Sequence, residues 1–149
     1  MIVSYSCMSF DLKLFGGDLV INNGDFAVVE DSDKLVQDVL KLVSTQLGSN
    51  PFFPAYGSPI SQALIGTSDV IFAQDVAINQ LQASIERLKD LQQDQIKNNQ
   101  IVTAQEQISV IKDVSVKQAR DDPRYYYVNL TVINKAFQSV PISFAVVTS

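Results

Sequence analysis

The residue types able to do chemistry are few and badly spaced for it. Asp25, Glu30, Asp31 and Asp33 form the densest carboxylate cluster. Paired carboxylates can cleave glycosides, but only at a set separation across a cleft and with one pKa raised. Here they flank a turn and open a helix, where the helix dipole favours acidic residues. Asp121 and Asp122, with Arg120 and Arg124 beside them, suggest a cation site or an ion pair. Calcium needs about six to eight oxygen ligands at fixed spacing, so a solvated loop is the better reading. Asn129-Leu130-Thr131 fits a glycosylation pattern. Without a secretory leader it reads as strand, with Asn129 and Thr131 facing outward. The chain has no histidine, which removes His-based triads and most zinc enzymes, and Cys7 is its single cysteine. The expectation is therefore no catalytic residue, no cofactor and no metal.

Two aromatic groups suit contact better than catalysis. Tyr125-Tyr126-Tyr127 lies near Lys117, Arg120 and Arg124, a setting that could stack bases. The net charge of −5 argues against nucleic acid and anionic membranes, so β-favouring aromatics straddling a strand are the simpler account. Partner contact is the next reading. Pro51-Phe52-Phe53-Pro54-Ala55-Tyr56-Gly57 sets three aromatics in a loop stiffened by prolines. It either covers a helix end or presents a preorganised contact surface.

The elements that must position these groups follow from periodicity. At 149 residues, with 46% hydrophobic and 18% charged residues, the chain is expected to be one soluble domain over residues 1–149. MIVSYSCMSF lacks the positive region of a signal peptide, and no apolar run is long enough for a bilayer span. The expected setting is the cytosol, or something assembled there. Phe10, Leu12 and Leu14 alternate with Asp11 and Lys13 as a half-buried strand. Gly16-Gly17-Asp18 and Asn23-Gly24 are turns that divide a small meander, with strands over 18–22 and 25–30. No internal repeat is read. A helix is expected from about Asp33 to Leu47, capped by Ser32 or Asp33 and stopped by Gly48. Val36, Val39, Leu40, Val43 and Leu47 mark its apolar face, and Lys34, Asp38, Lys41 and Thr45 its other face. One helical turn is expected at Ile60–Leu64, ended by Gly66.

A long helix is expected over about 69–97, capped by Ser68 and Asp69. Ile71, Ile78 and Ile85 recur every seven residues, with Leu81 and Leu88 between them. The pattern spans barely three heptads, and Gln74, Gln92 and Gln95 interrupt it. A helix lying on its own core is favoured over a dimer seam. After a break at Asn98-Asn99, Thr103-Ala-Gln-Glu106 has the form of a capping box, so a short helix over 104–112 is expected, separate from or continuous with the long one. Ile108 and Ile111 would face the core. Val114 and Val116 begin the return to strand. Tyr126, Val128, Leu130 and Val132, then Val140, Ile142, Phe144 and Val146, alternate with outward residues. Pro141 belongs at a strand start or edge. The fold class is α+β: a small N-terminal β-meander, helices in the middle including one long one, and a C-terminal antiparallel strand pair with an open edge.

The order of these features resembles the GPW/gp25 family of contractile-tail baseplate wedge proteins. The resemblance rests on the Gly-Asp strand region, on the helix with Gln37 ending in Thr45-Gln-Leu-Gly48, and on Pro54-Ala-Tyr-Gly57. It is most specific over 35–57. The family's loop carries Glu-Arg after its first glycine, where Ser49 and Asn50 stand here. Ala55 replaces its Asp and Tyr56 its Phe. An ion-paired contact through that motif is therefore not carried over, and Phe52, Phe53 and Tyr56 are the substitute contacts. Some family members carry a lysozyme label, for which these residues offer no support. The resemblance implies a structural protein of the virion tail baseplate, assembled in the host cytoplasm in several copies per particle. Its implied partners are other wedge and hub proteins and the tail sheath protein, with the tail tube as a further neighbour, and neither nucleic acid nor membrane. The strands carrying Tyr126, Val128, Leu130, Val132, Val140, Ile142, Phe144 and Val146 would template the first sheath ring by β-augmentation. A cytosolic adaptor dimerising through the long helix, and a glycosidase using Asp25 or Glu30, remain the alternatives.

Overall fold

A computed structural model describes residues 9–65 and 69–148. Cys7, Gly66 and Ser68 lie outside them. The architecture is α+β: an N-terminal meander of short strands, a long central helix and a C-terminal antiparallel sheet.

The meander is more ordered than alternation alone implies, because each expected strand is broken at its middle. The elements are β1 (Phe10–Leu12), β2 (Leu14–Phe15), β3 (Asp18–Leu19), β4 (Ile21–Asn22), β5 (Asp25–Phe26) and β6 (Val28–Glu30). They pair antiparallel as β1–β6, β2–β3 and β4–β5. The breaks fall at Lys13, Val20 and Ala27, and those three residues bond to one another in a ring. The Lys13 amide donates to the Ala27 carbonyl (2.8 Å), Val20 to Lys13 (3.0 Å) and Ala27 to Val20 (2.8 Å).

The ring exposes a seven-residue repeat that the strand pattern concealed. Asp11, Asp18 and Asp25 each accept, through Oδ1, the amide of the next residue: Leu12, Leu19 and Phe26. The corners that follow turn through left-handed backbone at Gly17, Gly24 and Asp31. At the first two corners both central residues have positive φ (Gly16-Gly17 and Asn23-Gly24), the geometry that matches strand twist in two-residue hairpins. The result is a three-cornered β-unit with near-threefold order.

Helix α1 (Asp31–Ser44) starts and stops earlier than the apolar pattern implies. Its N-cap is Glu30, which makes no side-chain capping bond, and its C-cap is Thr45. Neither Ser32 nor Asp33 caps it, and Gly48 does not stop it. Its fully buried apolar residues are Leu35, Val39 and Leu42, while Val36, Leu40 and Val43 are only partly buried. The buried stripe is thus rotated toward the face assigned to Lys34, Asp38 and Lys41. α2 (Ile60–Leu64) sits where its turn was expected.

Helix α3 (Val70–Lys97) is capped by Asp69, whose carboxylate accepts the Ile71 and Phe72 amides. Ala73, Ala77, Leu81, Ser84, Ile85, Leu88 and Gln92 form its buried stripe. Leu81, Ile85 and Leu88 therefore belong to the domain's own core, and only Ile71 of the heptad series is strongly exposed. The break at Asn98-Asn99 is present, with Asn99 at φ 59°.

The short helix expected over 104–112 does not form. Residues 103–106 make a turn, and Ile108–Gln118 is strand β7. Ile108, Val110, Ile111, Val114 and Val116 are β-branched, which favours strand once a neighbour is available to pair. β8 (Tyr125–Asn134) supplies that neighbour, and β9 (Ser139–Val147) pairs on its other side. The C-terminal sheet therefore has three strands in the order β7-β8-β9, not two. Its inner face, including Val128, Leu130, Val132 and Ile142, closes on the helices.

Candidate interaction site

The loop after α1 is built by a narrow neck. The Ser58 amide donates to the Thr45 carbonyl (2.8 Å), and Leu47 to Ser58 (3.4 Å), closing a parallel bridge between Gln46 and Ser58. Gly57 sits in this neck at φ 120°, and a Cβ there would lie 2.7 Å from the Thr45 carbonyl oxygen. No other residue fits. Within the loop Asn50 Oδ1 accepts the Phe52 and Phe53 amides, and the Gly48 amide donates to the Pro54 carbonyl. The neck is fastened to α3: Ser84 Oγ bonds Ser58 Oγ (3.1 Å), and Arg87 donates to the Gly57 carbonyl (3.2 Å).

This frame holds the three loop aromatics in different states. Phe52 is 85% exposed and Phe53 65%. Tyr56 is half-buried and packs on the core. Its hydroxyl pKa is pushed up by burial and by the Asp38 and Asp11 charges, which together outweigh Lys41. Between loop and helix runs a groove of about 550 Å³, lined by Phe52, Phe53, Tyr56, Arg87, Asp90 and Leu91. Buried Arg87 Nε has no acceptor among the described residues.

The eight sheet residues named from the alternation divide unevenly. Tyr126, Val128, Leu130 and Val132 lie on β8, the middle strand, with buried side chains and with main chain paired on both sides. They serve the core, and β8 has no edge to offer. Val140, Ile142 and Val146 also point into the core from β9, and Phe144 is partly buried. What β9 offers is its outer main-chain edge. All nine of its residues pair with β8 in unbroken register. Among the described residues no main-chain bond joins 139–147 to any other element. β7, the opposite edge, carries two register shifts, a common protection against unwanted pairing.

The carboxylates named from the sequence stand at turns and at the start of α1. Asp25 is at an exposed hairpin corner, and Glu30 caps α1. Asp31 Oδ1 accepts from Thr103 Oγ1. Asp122 binds Arg124 at an exposed corner, which holds its carboxyl below the usual range. Among the described residues no group of three or more His, Cys, Asp or Glu side chains could hold a metal, and no helix is long and apolar enough to cross a membrane. Asn129 Oδ1 accepts from exposed Ser143 on the sheet's outer face, as its outward assignment requires.

Three polar residues missed by periodicity tie the units together. Gln37 is buried on α1, where Oε1 accepts the Leu14 amide and Nε2 donates to the Leu12 carbonyl and to Asp11. Gln92 does the same for β7, donating to the Glu106 carbonyl and accepting from the Ile108 amide. Glu106, fully buried, accepts from Ser9 and Lys34. Lys34 also pairs Asp38, and Lys41 pairs Asp38 and Asp11. Burial alone would raise the Asp11 pKa, but Lys41 and Gln37 hold it below the ordinary value. Burial would lower Lys34 and Lys41, but their carboxylate partners keep both raised. The sign that such ties were needed was a glutamine on an apolar stripe.

No protein-family model and no curated protein sequence matches the chain. Its shape matches a Geobacter sulfurreducens protein described as a "putative tail lysozyme", with a TM-score of 0.54 over 89% of this chain and 97% of that one. The two share 7% identity, so the likeness is one of fold: this chain has the α+β architecture of that tail-type protein.

Proposed function

We propose that this protein is a structural component of a contractile-tail baseplate that docks onto wedge or hub proteins and starts the sheath. The observation that carries the reading is the outer β9 edge, which has no main-chain partner among the described residues and runs nine residues in unbroken register at the border of a sheet whose other edge is bulged. An open, regular edge is an association hazard unless it is used, and a partner strand would extend it by main-chain bonds. The tail-type fold and the loop resemblance point the same way. In this reading Phe52 and Phe53 anchor the wedge contact, Tyr56 supports them from the core, and β9 receives a strand of the sheath protein.

Deleting β9 would remove core residues, so the test must leave its inner face intact. Pro141 is already accommodated on β9, and residue 145 has the same parity. Ala145→Pro removes an amide from the side of the strand on which Pro141 already lacks one. The expected result is a folded protein that enters the baseplate and supports no sheath. Normal sheath on that variant would overturn the templating role. Phe52→Ala with Phe53→Ala should abolish incorporation at unchanged melting temperature, and full incorporation would make the loop only a cover for the helix end.

A further inference from the structure

The three-cornered unit leaves apolar side chains in solvent in a pattern set by its symmetry. Its cross-strand partners are Leu14 with Leu19, Ile21 with Phe26, and Leu12 with Val28. Directly opposed residues share a face of a β-ladder. Leu12 and Leu14 flank Lys13, Leu19 and Ile21 flank Val20, and Phe26 and Val28 flank Ala27, so the six side chains follow the ring of main-chain bonds at 13, 20 and 27. All six are exposed, from 37% at Leu14 to 63% at Ile21. Together they present on the order of 500 Å² of apolar surface, near the upper end for the largest patch on a typical monomer.

The charge around this face selects what can cover it. Residues 9–33 hold six carboxylates and one lysine, a net −5 that equals the charge of the whole chain. Everything after residue 33 is balanced. Asp11 is paired to Lys41. Asp18, Asp25, Glu30, Asp31 and Asp33 have no cationic partner among the ion pairs of the described residues. A second copy would set the same excess charge against itself, and anionic lipid or nucleic acid would be repelled. A standard interface needs about 800 Å² per partner, so the apolar face supplies a dry centre and the acidic corners a charged rim.

We propose that this face is a docking surface for a different protein, one that presents apolar side chains ringed by lysine or arginine. It is distinct from the aromatic loop and the β9 edge, and it does not depend on the tail reading. The test places a photocross-linking phenylalanine analogue at Ile21 in the full chain, expressed in the organism's own cells, with Gln82 on the exposed face of α3 as the control position. The expected result is one dominant adduct, absent from the control, mapped by mass spectrometry to a protein segment with more Lys and Arg than Asp and Glu. That adduct should fall at least tenfold when Asp18→Asn and Asp25→Asn are combined, which removes both charges and keeps both Oδ1 acceptors, at unchanged melting temperature. Sedimentation of the purified chain should show a monomer. A self-adduct, a lipid or nucleic-acid adduct, an acidic partner segment, no adduct, or an adduct indifferent to the charge removal would each overturn the proposal.

Discussion

The two β-regions of this protein solve the same problem in opposite ways. Both are built from alternating apolar and polar residues. The C-terminal sheet turns its alternation inward: Val128, Leu130, Val132 and Ile142 are at most 2% exposed beneath the helices. Its strands are nine to eleven residues long and make their order through long-range pairing. The N-terminal unit uses strands of two or three residues, closed by a ring of three main-chain bonds and by Gln37. Its alternation turns outward. Apolar alternation thus marks a face without saying what covers it.

That contrast can be broken most sharply in the sheet. Leu130→Ala should cost about 2–5 kcal/mol of unfolding free energy by denaturant titration, from lost transfer energy and a residual cavity. A cost under about 1 kcal/mol would mean that the sheet face is not the main core. The next effect is at the join. Gln37→Ala removes the donor and acceptor that hold the chain on both sides of Lys13, and should cost about 1–3 kcal/mol. Hydrogen exchange should speed up across residues 10–30 while β8 stays protected. Equal acceleration in both would show that the two regions open together.

The ion network at the same join carries a pH signature. Asp11 has a depressed pKa, so its contribution is present above the ordinary carboxylate range and is lost as pH falls through its folded value. Lys34 and Lys41 are raised, so theirs is complete below the ordinary lysine value and is lost as pH climbs through the folded ones. Melting temperature should fall at both extremes, and Lys41→Met should flatten the acid limb. The smallest effect is expected on the exposed face. Ile21→Ser and Phe26→Ser should each stay within about 0.5 kcal/mol of the parent. A loss comparable to Leu130→Ala would show that these side chains are buried in the working molecule.

Strands β8 and β9, the long helix and both hairpin turns were legible because each rests on local rules. Tyr126–Val132 and Val140–Val146 alternate cleanly, Asp69 caps its helix, and Asn23-Gly24 needs positive φ. The helix expected over 104–112 failed for the opposite reason. Thr103 and Glu106 carry a local helix signal, but Glu106 is drawn into the core by Lys34 and Ser9, and Ile108 pairs beside Asn134. Tertiary pairing outweighs a few tenths of a kcal/mol per residue of propensity. Asp11, Asp18 and Asp25 recur every seven residues, yet no repeat was read from them, because the main-chain bonds that close the unit join residues seven and fourteen apart.

By itself the amino-acid sequence determined which segments could be strand or helix, where the chain must turn, and that no histidine chemistry is possible. Turn residues and periodicity act over a few neighbours, so they need no knowledge of the rest. The tertiary structure decided which faces are covered. It buried Tyr126, Val128, Leu130 and Val132 on a middle strand, left β9 with a regular edge unpaired among the described residues, and left Ile21 and Phe26 in solvent. Burial depends on what arrives from elsewhere in the chain, and one alternating pattern is compatible with either outcome.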